Sequence, residues 1–216
     1  MKDIVILYSG GMDSSVALYQ YASQIRLAVS FDYGSKHNKK EIEYAALNCQ
    51  RLNIEHRVVD IDFNKMGFVS SLLQSGGDIP NGHYEDDTMR STVVPFRNGI
   101  MLSIATGIAE SMDCDKILIC NHAGDHAIYP DCRENFIESM SQAISYGTYN
   151  NAKILAPFTN LSKREIATIG NEVHVPFENT YSCYNGQKVH CGTCGTCTER
   201  KEALLGFDPT VYQQSL

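Results

Sequence analysis

Residues 4–15, IVILYSGGMDSS, decide how the rest of the chain is read, because an apolar β-type run turns abruptly into two glycines, an aspartate and two serines. Ile4, Val5, Ile6 and Leu7 have the length and β-branching of a strand buried on both faces, and residues 16–22 read as the helix that follows. The turn between them is a strand-to-helix loop. Gly10 and Gly11 allow unusual dihedrals and close approach to a ligand, while the first amides of the helix point outward unpaired. Such a loop is an anion site, most often for phosphate. No Lys follows the second glycine as a GxxxxGK[ST] loop requires, and GxGxxG is absent. On local geometry alone, a tight turn with a Ser/Asp helix cap is the alternative.

With 216 residues, 43% hydrophobic and 20% charged, the chain can bury one core, so a single domain over residues 1–216 is expected. No run approaches the roughly 18 apolar residues of a membrane span, and the N-terminus enters a strand without an export signal, which predicts a cytoplasmic protein. A net charge of −7 argues against a broad phosphate-backbone surface and for small-molecule partners rather than nucleic acid or membrane. A homodimer is compatible with the sequence.

Outward from the first strand, strands are predicted at 27–31, 57–61, 116–120 and 153–155, and helices at 39–52, 98–111 and 134–145. Within 39–52, Ile42, Ala45, Ala46, Cys49 and Leu52 mark one buried face. Ser162 and Glu165 form a capping box, read as structural, that opens a helix through about 173. Strands alternating with helices imply an α/β fold, a Rossmann-like parallel sheet covered on both faces. Residues 74–95, rich in Gly, Asp and polar residues, are too long for an ordinary connection and read as a mobile loop over the site.

Ligands of such sheets sit beyond the carboxyl ends of the strands. The segments there are SGGMDSS, FDYGSKHNK (31–39) and NHAGDHAIYPDCR (121–133). If a nucleotide's pyrophosphate rests on residues 9–15, Asp32 and Tyr33 fall where its base and ribose would lie and Lys36 and His37 could reach phosphates, with an ordinary loop residue as the alternative for each. Asp131 and Arg133 supply an acceptor and a two-pronged donor within one loop, with an exposed salt bridge as the plain alternative. Arg97 and Asn98 form a second pair at a helix start, where the Arg could orient a carboxylate or neutralise phosphate.

Four of eight cysteines cluster near the C-terminus as C-x7-C-x2-C-x2-C: Cys183, Cys191, Cys194 and Cys197. In a chain without an export signal these read as metal ligands, fitting the closed tetrahedral shell of structural zinc; four thiolates would also suit an iron–sulfur cluster. The zinc-binding subregion is placed at 176–205. His190 is adjacent and read as a non-ligand, while Cys49, Cys114 and Cys120 read as small packed hydrophobes and Cys132 as part of the 121–133 loop.

SGGMDSS resembles the pyrophosphate-binding loop of the ATP-pyrophosphatase (PP-loop) superfamily. Together with SFDYGSKH, VPFRNGIMLSIA, YPDCRENFIESM, LSKREIA and SCYNG with its cysteines, it makes nearly the whole chain similar to the 7-cyano-7-deazaguanine synthase, or QueC, family. That resemblance implies an ATP-dependent C–N ligase converting 7-carboxy-7-deazaguanine and ammonia into 7-cyano-7-deazaguanine (preQ0) for queuosine biosynthesis, with one structural Zn2+ and ATP-Mg2+ as substrate. It implies ATP contacts at Tyr8, Ser9, Gly10, Gly11, Met12, Asp13, Ser14, Ser15, Val16, Ala17, Leu18, Phe31, Tyr33 and His37. Substrate contacts are implied at Arg97, Asn98, His122, Asp125, Tyr129, Asp131 and Arg133, and catalytic roles at Asp13, Ser14, Arg97, Asp125, Asp131 and Arg133. His122 stands where many bacterial members carry Asn, and the 74–95 loop is individual; both flank the expected pocket. A variant stopping at the 7-amide, or one joining the deazaguanine carboxyl to a protein amine, are the alternative outcomes. No glutaminase segment is present, so ammonia is expected from solution or a separate protein.

Overall fold

Ile4 and Ile6 face one side of the central sheet and Val5 the other, and all three are fully buried. The opening strand therefore lies between two apolar layers, as its uninterrupted hydrophobicity predicts. The computed structural model describes residues 2–82 and 87–213. Five strands, β1 (Ile4–Leu7), β2 (Ile25–Asp32), β3 (Glu55–Asp60), β4 (Lys116–Leu118) and β5 (Lys153–Leu155), form one sheet in the order β3-β2-β1-β4-β5. Every pairing is parallel.

Helices α1 (Met12–Gln20), α2 (Asn38–Leu52), α3 (Arg97–Ser111), α4 (Glu134–Gly147), α5 (Lys163–Glu172) and α6 (Gly195–Ala203) cover it. One layer packs Val16, Leu18, Ala45, Ile166 and Leu204 under Ile4 and Ile6, and the other packs Leu102, Ala105, Ile137 and Ile144 under Val5, Leu27 and Val29. Each fully buried aliphatic side chain contributes about 1.5–3 kcal/mol, so the two layers dominate the stability of the sheet. The chain runs outward from β1 in one direction and then, by way of β4, in the other. That reversal opens a crevice at the carboxyl ends of β1 and β4.

Several boundaries differ from those read in the sequence, β2 and β3 each starting two residues earlier. Helix α1 begins at Met12 rather than near Val16, because Gly11 in an extended conformation serves as its N-cap and Asp13 complements the helix dipole in the first turn. Strand β4 stops at Leu118, after which Ile119 N–H donates to the Leu155 carbonyl at 3.0 Å and the chain departs toward the crevice. Helix α6 was not expected: it starts on Cys194 inside the cysteine segment, where glycines and threonines of low helix propensity hide it.

The 74–95 segment is not a structureless loop over its described length. Lys36 Nζ donates to the carbonyls of Ser71 at 3.0 Å, Gly76 at 3.3 Å and Gly77 at 2.5 Å, and Asn81 forms a β-bridge with Cys194. Residues Asp87–Thr92 form a 3-10 helix that buries Met89 against Ile128, Tyr129 and Cys132. Residues 83–86 of that expected loop lie outside the described residues. Among the described residues, no helix is long and apolar enough to cross a membrane.

Candidate active site

Gly10 has φ +85°, and a Cβ there would collide with the backbone carbonyl of Glu41 and lie 2.8 Å from Ala45 N, so this position accepts only glycine. Gly11 has ordinary dihedrals, and its requirement is space: a Cβ would lie 3.1 Å from Ser9 Oγ. Between them the chain turns and delivers the first amides of α1 into the crevice. Ser9 and Ser14 hydroxyls lie 3.0 Å apart at its mouth, and Tyr8 hydroxyl bonds Ser15 Oγ at 3.0 Å beneath it. Ser9, Gly11, Met12, Asp13 and Ser14 line one cavity with Tyr8, Phe31, Tyr33 and His37. Gly10 and Ser15 support the loop from behind. Val16, Ala17 and Leu18 are fully buried in the core, because they lie beyond the first turn on the face packed under the sheet.

A lysine that sequence reading passed over faces the loop. The capping box forms as expected, Ser162 N–H donating to Glu165 Oε2 at 2.8 Å and Glu165 N–H to Ser162 Oγ at 3.3 Å. It also sets Lys163 at the first helical position, from which Nζ reaches Asp13 Oδ2 at 3.0 Å and Glu199 Oε2 at 2.9 Å. Burial opposes the lysine's charge, but Asp13, Glu199 and Asp125 outweigh it and hold the ammonium above its ordinary pKa. Burial likewise opposes Asp13, and Lys163, then His122, overcome it and hold the carboxyl below the usual range. Asp13 Oδ1 is buried without a hydrogen-bond partner among the described residues. The only hint in the sequence was a Lys directly after the cap serine at a strand-distal helix start.

His122, Asp125 and Tyr129 also line the cavity, with His122 Nε2 3.4 Å from Lys163 Nζ. His122 Nδ1 accepts from Gly124 N–H at 3.1 Å and Asp125 Oδ2 from His122 N–H at 3.0 Å, a second capping box that holds this loop. Tyr129 hydroxyl bonds Thr92 Oγ1 at 2.8 Å and lies 3.3 Å from Tyr184 hydroxyl. Asn121, which also lines the cavity, has a buried Oδ1 with no partner among the described residues.

Arg97 and Asn98 both line the cavity, and Arg97 donates to Tyr33 hydroxyl at 3.3 Å. Asp131 and Arg133 do not. Asp131 is buried and accepts from the backbone N–H of Asn98 at 2.8 Å, which anchors the start of α3. Arg133 is exposed and donates from Nε to the His126 carbonyl at 3.0 Å. No ion pair joins Asp131 to Arg133, because the 3-10 turn Pro130–Cys132 sends the two side chains in different directions. Lys36 is likewise turned away from the crevice toward the 71–77 carbonyls. Asp32 lies outside the lining and accepts from Gly34 N–H at 3.2 Å.

His37 is in the cavity wall and buried. Burial, reinforced by Arg97, depresses its pKa to about 3, so it is a neutral imidazole there. Glu41, one helical turn later and absent from the sequence reading, lines the same wall; burial pushes its carboxyl up to about 8 against the pull of Arg97. Cys120 both touches the core and borders the cavity, so it is not a purely packed hydrophobe, and Cys132 of the 121–133 loop borders the cavity as well.

Cys183, Cys191, Cys194 and Cys197 bring their sulfurs within 4.8 Å of one another, with Cys191 and Cys197 Sγ 3.9 Å apart. A tetrahedron of thiolates about 2.3 Å from one ion has edges of this size, and so compact a set suits a single ion better than a polynuclear cluster. The N–H groups of Cys191, Thr193 and Cys194 point at cluster sulfurs at 3.3–3.5 Å, stabilising thiolate charge. His190 is not part of the set; its Nε2 accepts from Ser182 N–H at 3.1 Å.

The segment reaches directly into the crevice. Tyr181 N–H donates to the Gly10 carbonyl at 3.0 Å, and Tyr181, Ser182, Tyr184 and Thr196 line the cavity. Fully buried Arg200 ties α6 back through the Phe177 carbonyl at 2.7 Å, Thr180 Oγ1 at 2.9 Å and Ser182 Oγ at 3.0 Å.

Known proteins resemble this chain over almost its whole length. The family model described as "Queuosine biosynthesis protein QueC" matches residues 3–208. The chain is 53% identical over 215 residues to a 7-cyano-7-deazaguanine synthase of Porphyromonas gingivalis, covering 98% of each chain. It is 46% identical over 217 residues to one of Desulfotalea psychrophila, covering 98% of this chain and 99% of that one. Among solved structures, NMN synthetase from Francisella tularensis superposes with a TM-score of 0.51 at 15% identity, over 88% of this chain and 69% of that one, a likeness of fold alone.

Proposed function

Because this chain belongs to the QueC family, we propose that its crevice performs the ATP-dependent conversion of 7-carboxy-7-deazaguanine and ammonia into 7-cyano-7-deazaguanine, in queuosine biosynthesis. The observation that carries the reading is the convergence on one cavity of the SGGMDSS loop, the buried cation Lys163 and the polar residues Arg97, Asn98, His122 and Asp125. A carboxylate resists amines because oxide is a poor leaving group. Transfer of AMP to it produces a mixed anhydride, pyrophosphate being received by Ser9, the α1 amides and Lys163. Ammonia displaces AMP to give the amide; a second adenylation of the amide oxygen lets AMP depart again, leaving the nitrile.

In this reading Asp13 and Ser14 organise the triphosphate, with Lys163 exchanging its contact with Asp13 for phosphate oxygens. Mg2+, held by Asp13 and ATP, would offset repulsion between the anionic substrates. Phe31, Tyr33 and His37 flank the nucleotide. Arg97, Asn98, His122, Asp125 and Tyr129 surround the deazaguanine and its carboxyl group, while Asp131 and Arg133 act through the loop and helix they hold. One Zn2+ on the four cysteines braces residues 176–205 as a subregion of a single domain, 1–216, and performs no chemistry. A cytoplasmic location suits these small-molecule substrates.

Incubation of purified protein with 7-carboxy-7-deazaguanine, ATP-Mg2+ and ammonium, followed by mass spectrometry, should give the nitrile. The 7-amide supplied alone with ATP-Mg2+ should also yield nitrile without added ammonia. An amide that accumulates and never re-enters the reaction would make the chain an amide synthetase, and a mass adduct on a protein amine would make it a protein ligase.

A further inference from the structure

We propose that Glu41 is the catalytic residue that accepts protons from nitrogen in the ammonia-dependent and nitrile-forming steps, an inference that rests on the function proposed above. Three carboxylates line the cavity, and two of them already face a cation or a backbone donor. Asp13 is paired with Lys163, and Asp125 accepts from the backbone of His122. Glu41 accepts no side-chain hydrogen bond among the described residues; His37 Nε2 is 3.7 Å from its Oε2, beyond hydrogen-bond reach. Its backbone is held against the SGGMDSS loop, where the Glu41 carbonyl packs on Gly10, and its side chain lines the cavity there. A held, cavity-facing carboxyl without a donor calls for a donor from the ligands, and this reaction brings one in as ammonium.

The groups facing Glu41 assign the role to it. Tyr33 hydroxyl lies 3.3 Å from His37 Nε2 and accepts from Arg97, and the Tyr184 ring sits 5.4 Å from the His37 ring. Burial, helped by Arg97, makes His37 too weak a base at about 3, whereas burial opposed by Arg97 leaves Glu41 at about 8. An acceptor is most effective when its pKa lies near the working pH. Ionised Glu41 offsets the charge of Arg97, which lowers the repulsion an incoming ammonium would meet there.

The steps balance as follows. Ammonium transfers one proton to the Glu41 carboxylate, and the freed lone pair attacks the adenylated carboxyl carbon. The C–N bond forms, the C–O bond to phosphate breaks with its electron pair leaving on AMP, and Glu41, having shed its first proton to solvent, takes the next from nitrogen. After the second adenylation the nitrogen loses its two remaining protons to Glu41 in turn, the C–O bond breaks again, and the third C–N bond forms as AMP leaves.

The test is Glu41→Gln, which keeps shape and polarity, with Glu41→Asp as a second variant that keeps the carboxylate. Three readouts are compared with wild type: ammonia-free pyrophosphate release with the carboxylate substrate, KM for that substrate, and amide plus nitrile formation against pH at fixed total ammonium. Glu41→Gln should lose about 100-fold or more of the ammonia-dependent rate and far less of pyrophosphate release. Sign follows from the raised pKa: the wild-type rate climbs with pH and levels off above about 8, where Glu41 is ionised. The Gln variant should instead keep climbing with free ammonia, and the Asp variant should retain the plateau at lower rate. A Gln variant with the wild-type pH profile, or one that loses only KM for the carboxylate substrate, overturns the proposal. Wild-type protein that forms no amide at all overturns the function reading instead.

Discussion

Two adjacent glycines look interchangeable in SGGMDSS, yet only Gly10 is forced by its backbone. Gly10→Ala should destabilise the fold by about 1 kcal/mol or more, seen as a lowered Tm, because the φ of +85° and the Glu41 carbonyl both exclude a Cβ. Gly11→Ala should fold normally. Asp13→Ala should reduce pyrophosphate release by about 100-fold or more while leaving circular dichroism unchanged, and Lys163→Met should do the same, since each removes one half of the charge pair at the phosphate loop. Near-normal turnover in either variant would remove this loop from the reaction. His37 adds a pH dependence. Its folded pKa lies near 3, below the ordinary histidine value, so the unfolded chain binds the proton first and stability declines as pH falls from about 6.5 toward 3. His37→Gln should flatten the fall of Tm between pH 7 and 5.

At the scale of single elements, the start of α3 depends on a residue that sequence reading placed in the substrate pocket. Asp131→Ala would leave the buried Asn98 N–H without its acceptor, at a cost of about 1–3 kcal/mol in denaturant unfolding. It should disturb Arg97 and Asn98 together, raising KM for the deazaguanine more than for ATP. Arg133→Ala, exposed and bonded only to a loop carbonyl, should have a smaller effect than Arg97→Ala. For α5, the capping box that looked purely structural is what aims Lys163 at Asp13. Ser162→Ala should therefore cost about 1 kcal/mol and also weaken pyrophosphate release, a coupling that a cap without a functional neighbour would not show.

Across the whole molecule, the cysteine centre and the phosphate loop are mechanically one unit. Tyr181 bonds the Gly10 carbonyl, Glu199 on α6 holds Lys163, and Arg200 knots α6 to residues 177–182. Metal removal by a strong chelator should abolish pyrophosphate release while most sheet and helix signal remains, because both apolar layers of the sheet are built largely from residues outside the segment. Single Ser replacements of Cys183, Cys191, Cys194 or Cys197 should lower bound metal in elemental analysis, and Cys49→Ser should not. Full activity in metal-stripped, folded protein would separate the two sites.

What the sequence determined by itself is what local pattern encodes. The apolar run at 4–7, the i, i+3, i+4 stripe of α2, the capping box at 162–165 and the short C-x2-C spacings each act within a few residues, so strand, helix, cap and ligand set were legible before any coordinates. The parallel α/β plan followed from their alternation. Only tertiary structure decided which polar residues meet. Lys163 and Glu199 lie 36 positions apart and Glu41 is distant from Arg97, so no periodicity connects them, and a lysine or glutamate at a helix surface has no local mark that it will be buried. Tertiary packing also sorted YPDCR, turning Asp131 inward to a backbone N–H and Arg133 outward to solvent, because one 3-10 turn rotates neighbouring side chains onto different faces. Chain pattern thus specified the elements, while the burial of charge beside the phosphate loop depended on which elements the sheet order brought together.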